Sequence, residues 1–264
     1  MAIKSDNTQG NPYHDERNGQ FTSQGSGGTK STAEININEA VVKESGFEDW
    51  FSDSPEEDDN ELEEQIKKYE KLSNNSLGIS LLEKTEDMKE ACKSINPNYN
   101  TKKYKYLNNC TYCTIAYEFR RRGLNVEADG LGNKGYTKLM HVDDYGGLNT
   151  LLEQSGAKTF RPMIRDVEKL KKYTLENMLA EGDGARFKVG WKWKYSGGHS
   201  TVAEVHDGNV YFVDPQDGSI TENDSDYFDR CNTRNFYFIR MDNVELDTKK
   251  FEEALIEGEA EDDD

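Results

Sequence analysis

The chain has 264 residues, enough for one sizeable domain or two small ones. Only 34% are hydrophobic and the formal net charge is −18, a composition too polar for a compact globule if it were spread evenly. It is not: Glu48 to Glu64 carries ten acids and no Lys or Arg, Phe251 to Asp264 carries eight acids and no base, and the rest balances at 33 acids against 33 bases. An ordinary domain with acidic appendages is implied. Acidic runs repel phosphates and no basic stripe offsets them, which argues against a nucleic acid partner. No stretch approaches the roughly 18 apolar residues of a membrane span, and the N-terminus lacks the apolar core of a secretory signal. Cytoplasmic synthesis without a membrane partner is expected. Four cysteines do not make a disulfide scaffold.

Residues 1–45 are rich in Gly, Ser, Thr, Asn and Gln and lack apolar periodicity. Together with the acidic run that follows, they define a disordered polar and acidic region over 1–60. Within it, Asn11-Pro12-Tyr13-His14-Asp15-Glu16 followed by Gly19-Gln20-Phe21-Thr22-Ser23 resembles a short linker of phage head and portal-associated proteins. That resemblance implies association with a virion component, or delivery into a target cell. Residues 61–99 read as a helical linker, with a polar helix over 61–72 and a second over Leu81–Ile95, stopped by Asn96-Pro97-Asn98.

The compact domain is expected over 100–247, with an acidic tail at 248–264. Cys110 to Arg122 reads as a helix stopped by Gly123, with Arg120, Arg121 and Arg122 in the last turn where the helix dipole favours cations. Leu124–Ala128 reads as a short strand, and Asp143–Gln154 and Val167–Ala180 as helices. Then come strands: Ala185–Lys194, Ser200–His206, Asn209–Val213 and Asn235–Met241. Asp207-Gly208 joins the middle two as a hairpin turn. Helices first and an antiparallel sheet after predict an α+β domain.

Three segments carry chemistry. Asn109-Cys110-Thr111-Tyr112-Cys113 opens a helix. Asn109 suits the N-cap, placing Cys110 where the dipole and free N–H groups favour a thiolate and where a backbone N–H can serve an oxyanion. Counting outward from the Asp207-Gly208 turn pairs His206 with Asn209 and Thr201 with Asp214. His199, Thr201, Asp214 and Gln216 then share one face, with Asp214 diagonal to His199 and within reach of its ring. An Asp there fixes the imidazole tautomer and stabilises the imidazolium. Gly197-Gly198 before the histidine would leave room for substrate backbone. Trp191, Trp193 and Tyr195 either line a groove beside His199 or pack the sheet.

Cys113, one helical turn on, is an alternative nucleophile, a redox partner or a core residue. Cys-x-x-Cys lacks a second ligand pair at metal-site spacing, so no metal or other cofactor is expected.

Asn109-Cys110-x-x-Cys113-Thr114-x-Ala116-Tyr117-Glu118-x-Arg120-Arg121-Arg122-Gly123, then Gly198-His199-x-x-x-Ala203-Glu204, then Val210-Tyr211-Phe212-Val213-Asp214-Pro215-Gln216-x-Gly218 resembles the papain-fold toxin domains of bacterial polymorphic toxins and phage-associated effectors. These are described as protein-glutamine deamidases. The resemblance covers about residues 100–240. It implies a papain-like cysteine hydrolase fold, with Cys110 as nucleophile, His199 as base and Asp214 as orienting acid. Asn109, Gln216 and Cys113 are assisting candidates. It also implies a protein substrate, attacked at a glutamine side chain through a thioester, and an immunity protein as partner. A papain-like protease or isopeptidase, a transglutaminating site, and an inactive virion-associated structural protein are the alternatives.

Overall fold

The computed structural model describes residues 14–15, 20–21 and 72–258, apart from 132–138, 140–146, 196 and 224–225. The acidic run, His141 and the expected helix over 61–72, Leu72 excepted, lie outside the described residues. In the stretch expected to be disordered, β1 (His14–Asp15) pairs antiparallel with β2 (Gln20–Phe21), at the linker-like motif.

After β3 (Ser73–Asn74), α1 spans Met88–Ser94. It starts later than its apolar pattern suggested because Asp87 caps it. The Asp87 carboxylate accepts the Glu90 N–H at 2.7 Å, and Glu90 accepts the Asp87 N–H at 3.2 Å, a reciprocal capping box. Leu81 instead bridges Leu124.

A short α2 (Tyr104–Leu107) leads into α3 (Cys110–Arg120). Gly123, at φ +87°, adopts the left-handed conformation just past its end. Every residue of α3 after Cys110 is buried, so this helix is enclosed on all sides. Next come β4 (Val126–Ala128), α4 (Gly147–Gln154), β5 (Thr159–Phe160) and α5 (Val167–Leu179), the last capped by Asp166.

The remaining strands are β6 (Arg186–Lys192), β7 (Gly198–His206), β8 (Asn209–Asp214) and β9 (Ser219–Glu222). After α6 (Tyr227–Arg230) follow β10 (Tyr237–Arg240), β11 (Leu246–Asp247) and β12 (Leu255–Glu257). Helices plus antiparallel sheet make this an α+β protein.

Six strands form one antiparallel sheet in the order β5-β10-β6-β7-β8-β9. Between β7 and β8, Asp207 (φ 48°) and Gly208 (φ 72°) both have positive φ, as a type I′ turn requires. The register runs from His206↔Asn209 to Val202↔Val213.

Strand alternation gives the sheet a core on each face. Phe187, Val189, Trp191, Ala203, Val205, Phe212 and Phe238 pack with Leu170 and Met178 of α5 and with α6. On the other face Val202, Val213 and Ile239 pack against α3, α1 and α4.

The packed unit reaches past residues 100 and 247 on both sides. Ile79, Met88, Ala91, Cys92 and Ile95 belong to the α3 core, as do Leu246, Phe251, Ala254 and Leu255. Phe251 meets Phe119 edge-on at 5.6 Å between ring centroids. β12 pairs with β4, and β11 runs parallel to β3. Apolar residues interleaved with acids therefore pack against the core at both margins.

The three arginines at the end of α3 do more than face a dipole. Arg120 makes two hydrogen bonds to the Glu86 carboxylate, both 2.6 Å. Arg121 binds Glu204 at 2.7 Å. Arg122 and Arg186 share Glu118, each at 2.8 Å from Nε, and all three of these side chains are almost wholly excluded from solvent.

Candidate active site

The start of α3, the start of β7 and the end of β8 meet at one point. His199 Nε2 lies 2.6 Å from Asp214 Oδ2, leaving Nδ1 as the ring nitrogen available to the thiol. The Cys110 thiol hydrogen-bonds the His199 ring and receives the Ser200 backbone N–H. Cys110 is half-buried. Cys113 sits fully buried in the apolar core one turn along.

The electrostatics separate the two thiols. Burial alone pushes the Cys110 thiol up. The hydrogen bond and charge of His199, with the Ser200 N–H, outweigh that and hold it below its ordinary value. Burial keeps the Cys113 thiol well above the usual range. Burial opposes the charge on His199, but the Asp214 carboxylate beside it and the bonds to Asp214 and Cys110 raise its pKa well above normal. Asp214 is itself desolvated, and it is held below the ordinary carboxylate range by His199, the Tyr227 hydroxyl and the Gln216 N–H. Nearby, Asp217 is raised to about 6 by burial and by the Asp214 charge.

Several expected details resolve differently. Asn109 occupies the N-cap position, its carbonyl accepting the Cys113 N–H at 3.0 Å, but its side chain does not cap the helix. Instead Asn109 Nδ2 donates to the Asp129 carbonyl at 3.1 Å, and its Oδ1 accepts from Asn96 and Gln216, both at 3.4 Å. The asparagine ties the start of α3 to the loops around it.

Gln216 does not continue the ladder opposite His199. The chain turns after Asp214, with the Gly218 N–H bonded to the Asp214 carbonyl at 2.9 Å, and this carries Gln216 toward Asn109. Thr201 spends its hydroxyl on the Val213 carbonyl. Gly197 takes φ +74°, and a Cβ on Gly198 would sit 2.6 Å from the Trp191 carbonyl oxygen. These glycines serve the turn and the close strand approach.

Trp191 and Trp193 are buried around the imidazole, at 5.3 and 6.1 Å between ring centroids, and pack the sheet. Tyr195 is exposed.

Spacing gave no hint of two contributors, the Ser200 N–H and Tyr227. Tyr227 lies in a polar, acid-rich stretch without periodicity, and its hydroxyl donates to Asp214 Oδ2 at 2.7 Å. Among the described residues no group of three or more His, Cys, Asp or Glu is placed to hold a metal. No helix there is long and apolar enough to cross a membrane.

A half-buried thiol thus stands beside an imidazole that is hydrogen-bonded to a buried carboxylate. Residues 108–219 match the family model of papain fold toxin 1, glutamine deamidase, so the resemblance carried by the three motifs holds over that segment. The match includes Cys110, His199 and Asp214 and ends before Tyr227. No curated protein matches the chain.

Proposed function

We propose that this protein is a cysteine-dependent amidohydrolase that converts glutamine side chains of a protein substrate to glutamate. The observation that carries the reading is the half-buried Cys110 thiol beside a His199 imidazole whose Nε2 is held by Asp214 at 2.6 Å.

In this reading Cys110 and His199 rest as a thiolate–imidazolium pair. The thiolate attacks the side-chain carbonyl carbon of glutamine. In this reading a backbone N–H at the start of α3, with the Gln216 side-chain amide, meets the oxyanion. His199 gives its proton to the departing nitrogen, and ammonia leaves a thioester on Cys110. His199, now neutral, takes a proton from water, which attacks the thioester. Glutamate departs, and the ion pair is restored. Asp214 holds the ring and its charge throughout. The description of the matched family supports a toxin or effector role, with an immunity protein as natural inhibitor.

The test begins with a limiting dose of iodoacetamide at about pH 6, where an ordinary thiol is almost wholly protonated. Labelling is mapped on the intact protein and on His199→Ala. Fast modification of Cys110 that collapses in the variant is expected. Slow modification of all four cysteines, indifferent to His199, would sink the reading. Incubation with a bacterial protein extract then separates the reactions. Ammonia release with glutamine-to-glutamate conversion, absent in Cys110→Ala, marks a deamidase; new protein N-termini would mark a peptidase.

A further inference from the structure

We infer that Tyr227 is a positioning residue of this site, setting the basicity of His199 through Asp214; the inference rests on the thiolate–imidazolium reading above. Asp214 Oδ2 accepts from His199 Nε2 at 2.6 Å and from the Tyr227 hydroxyl at 2.7 Å, while Oδ1 accepts the Gln216 N–H at 3.1 Å. Tyrosine and histidine thus compete for one carboxylate oxygen. The contact is buried: Tyr227 is 8% exposed and Asp214 2%. Its ring packs on Trp191 at 4.6 Å and on His199 at 5.5 Å, which fixes the hydroxyl in place.

A donor on a carboxylate draws off charge and makes it a weaker partner for an imidazolium. With the hydroxyl in place His199 parts with its proton more readily, and each half of the proposed cycle needs that proton to move. The hydroxyl is itself a dependable donor, since burial and the Asp214 charge hold its own proton on.

The other groups facing this assembly are Cys110 from α3, Cys92 from α1, Asp217 from the turn after β8, and Asp226 and Arg230 beside Tyr227. Cys92 Sγ lies 3.7 Å from the Asp214 carbonyl, and the Arg230 guanidinium stands 5.6 Å from the centre of the Tyr227 ring.

The experiment is the pH dependence of Cys110 alkylation by iodoacetate, followed by mass spectrometry on the whole chain. An anionic reagent favours a thiolate beside an imidazolium, so the rate falls as His199 loses its proton. In Tyr227→Phe that alkaline limb should move up by roughly half to one pH unit, as expected when a neighbouring carboxylate regains charge. In a protein carrying 2,3-difluorotyrosine at position 227, whose hydroxyl is the stronger donor, the limb should move down. Opposite shifts from two nearly isosteric rings cannot come from packing, and the fluorinated protein tests the idea even if the phenylalanine variant folds poorly.

A normal alkaline limb in the unmodified protein that stays put in both variants would overturn the role of Tyr227 and leave the catalytic reading standing. Absence of fast, His199-dependent labelling in the unmodified protein would overturn both.

Discussion

At its C-terminal end α3 sets Arg120, Arg121 and Arg122 against Glu86, Glu204 and Glu118, whereas at its N-terminal end one half-buried thiol faces one imidazole. Both ends hold charge away from water, yet they differ in how completely each charge is answered. Glu118 accepts from two guanidiniums, and Glu204 accepts from Arg121 and from the Tyr117 hydroxyl at 2.9 Å. Such groups stay ionised and locked. At the other end the proton can sit on sulfur or on nitrogen, and the cysteine is only half-buried. Full satisfaction makes a buried ion cluster structural; one group left open to exchange a proton makes it chemical.

The largest expected effect breaks the chemical end alone. Cys110→Ala should lower kcat/KM for glutamine hydrolysis by at least about 10⁴-fold. It should leave the urea midpoint nearly unchanged, since no buried charge loses its only partner. Glu118→Ala should do the reverse. Stranding Arg122 and Arg186 without their carboxylate costs about 3–5 kcal/mol, read by urea unfolding, while the alkylation rate of Cys110 per folded molecule stays close to normal. A Glu118→Ala protein as stable as its parent would erase the contrast.

Acid sharpens the same comparison. Burial would raise Glu118 and Glu204, but the facing arginines hold both below the ordinary glutamate range. Their contribution is therefore complete above an unfolded glutamate pKa of about 4.3 and is lost as pH falls through the lower folded values. Urea midpoints should drop steeply in that window, and less steeply in Glu118→Gln. The thiolate–imidazolium pair has a different window. It needs a pH above the lowered Cys110 value and below the raised His199 value, so alkylation by iodoacetate should slow at both extremes. The smallest effect belongs to Asn109→Ala, about 1–2 kcal/mol from the lost side-chain hydrogen bonds, with a modest loss of turnover because Gln216 loses a partner.

Much of the local structure is legible in the sequence. Asp207-Gly208 fixes a turn with two positive-φ residues, and from it the approach of His199 to Asp214 follows by counting. Counting fails at Gln216 because the chain turns after Asp214, and a turn has no period. Asn109 reads as a cap because short amides suit that position, yet its side chain finds better partners in Asn96, Asp129 and Gln216, which are remote in sequence. The same distance hides the partners of Arg120, Arg121 and Arg122. It hides Tyr227 as well, whose meeting with Asp214 depends on where α6 settles against the sheet. At the margins, Phe251, Ala254 and Leu255 are too few among acids to register as a periodic face, although each is buried. Phe251→Ala should destabilise by about 3–5 kcal/mol, as for any large core aromatic.

The pairing of β12 with β4 also bears on the order in which the molecule is made. Cys110, His199 and Asp214 all leave the ribosome before Phe251, Ala254 and Leu255, the residues that finish the wall around α3. Contacts of such long sequence separation form late and slowly. A nascent chain therefore carries Cys110, His199 and Asp214 for a time before α3 is sealed, and the arrival of residues 251–255, rather than the first appearance of the cysteine, sets when the wall around that helix is complete.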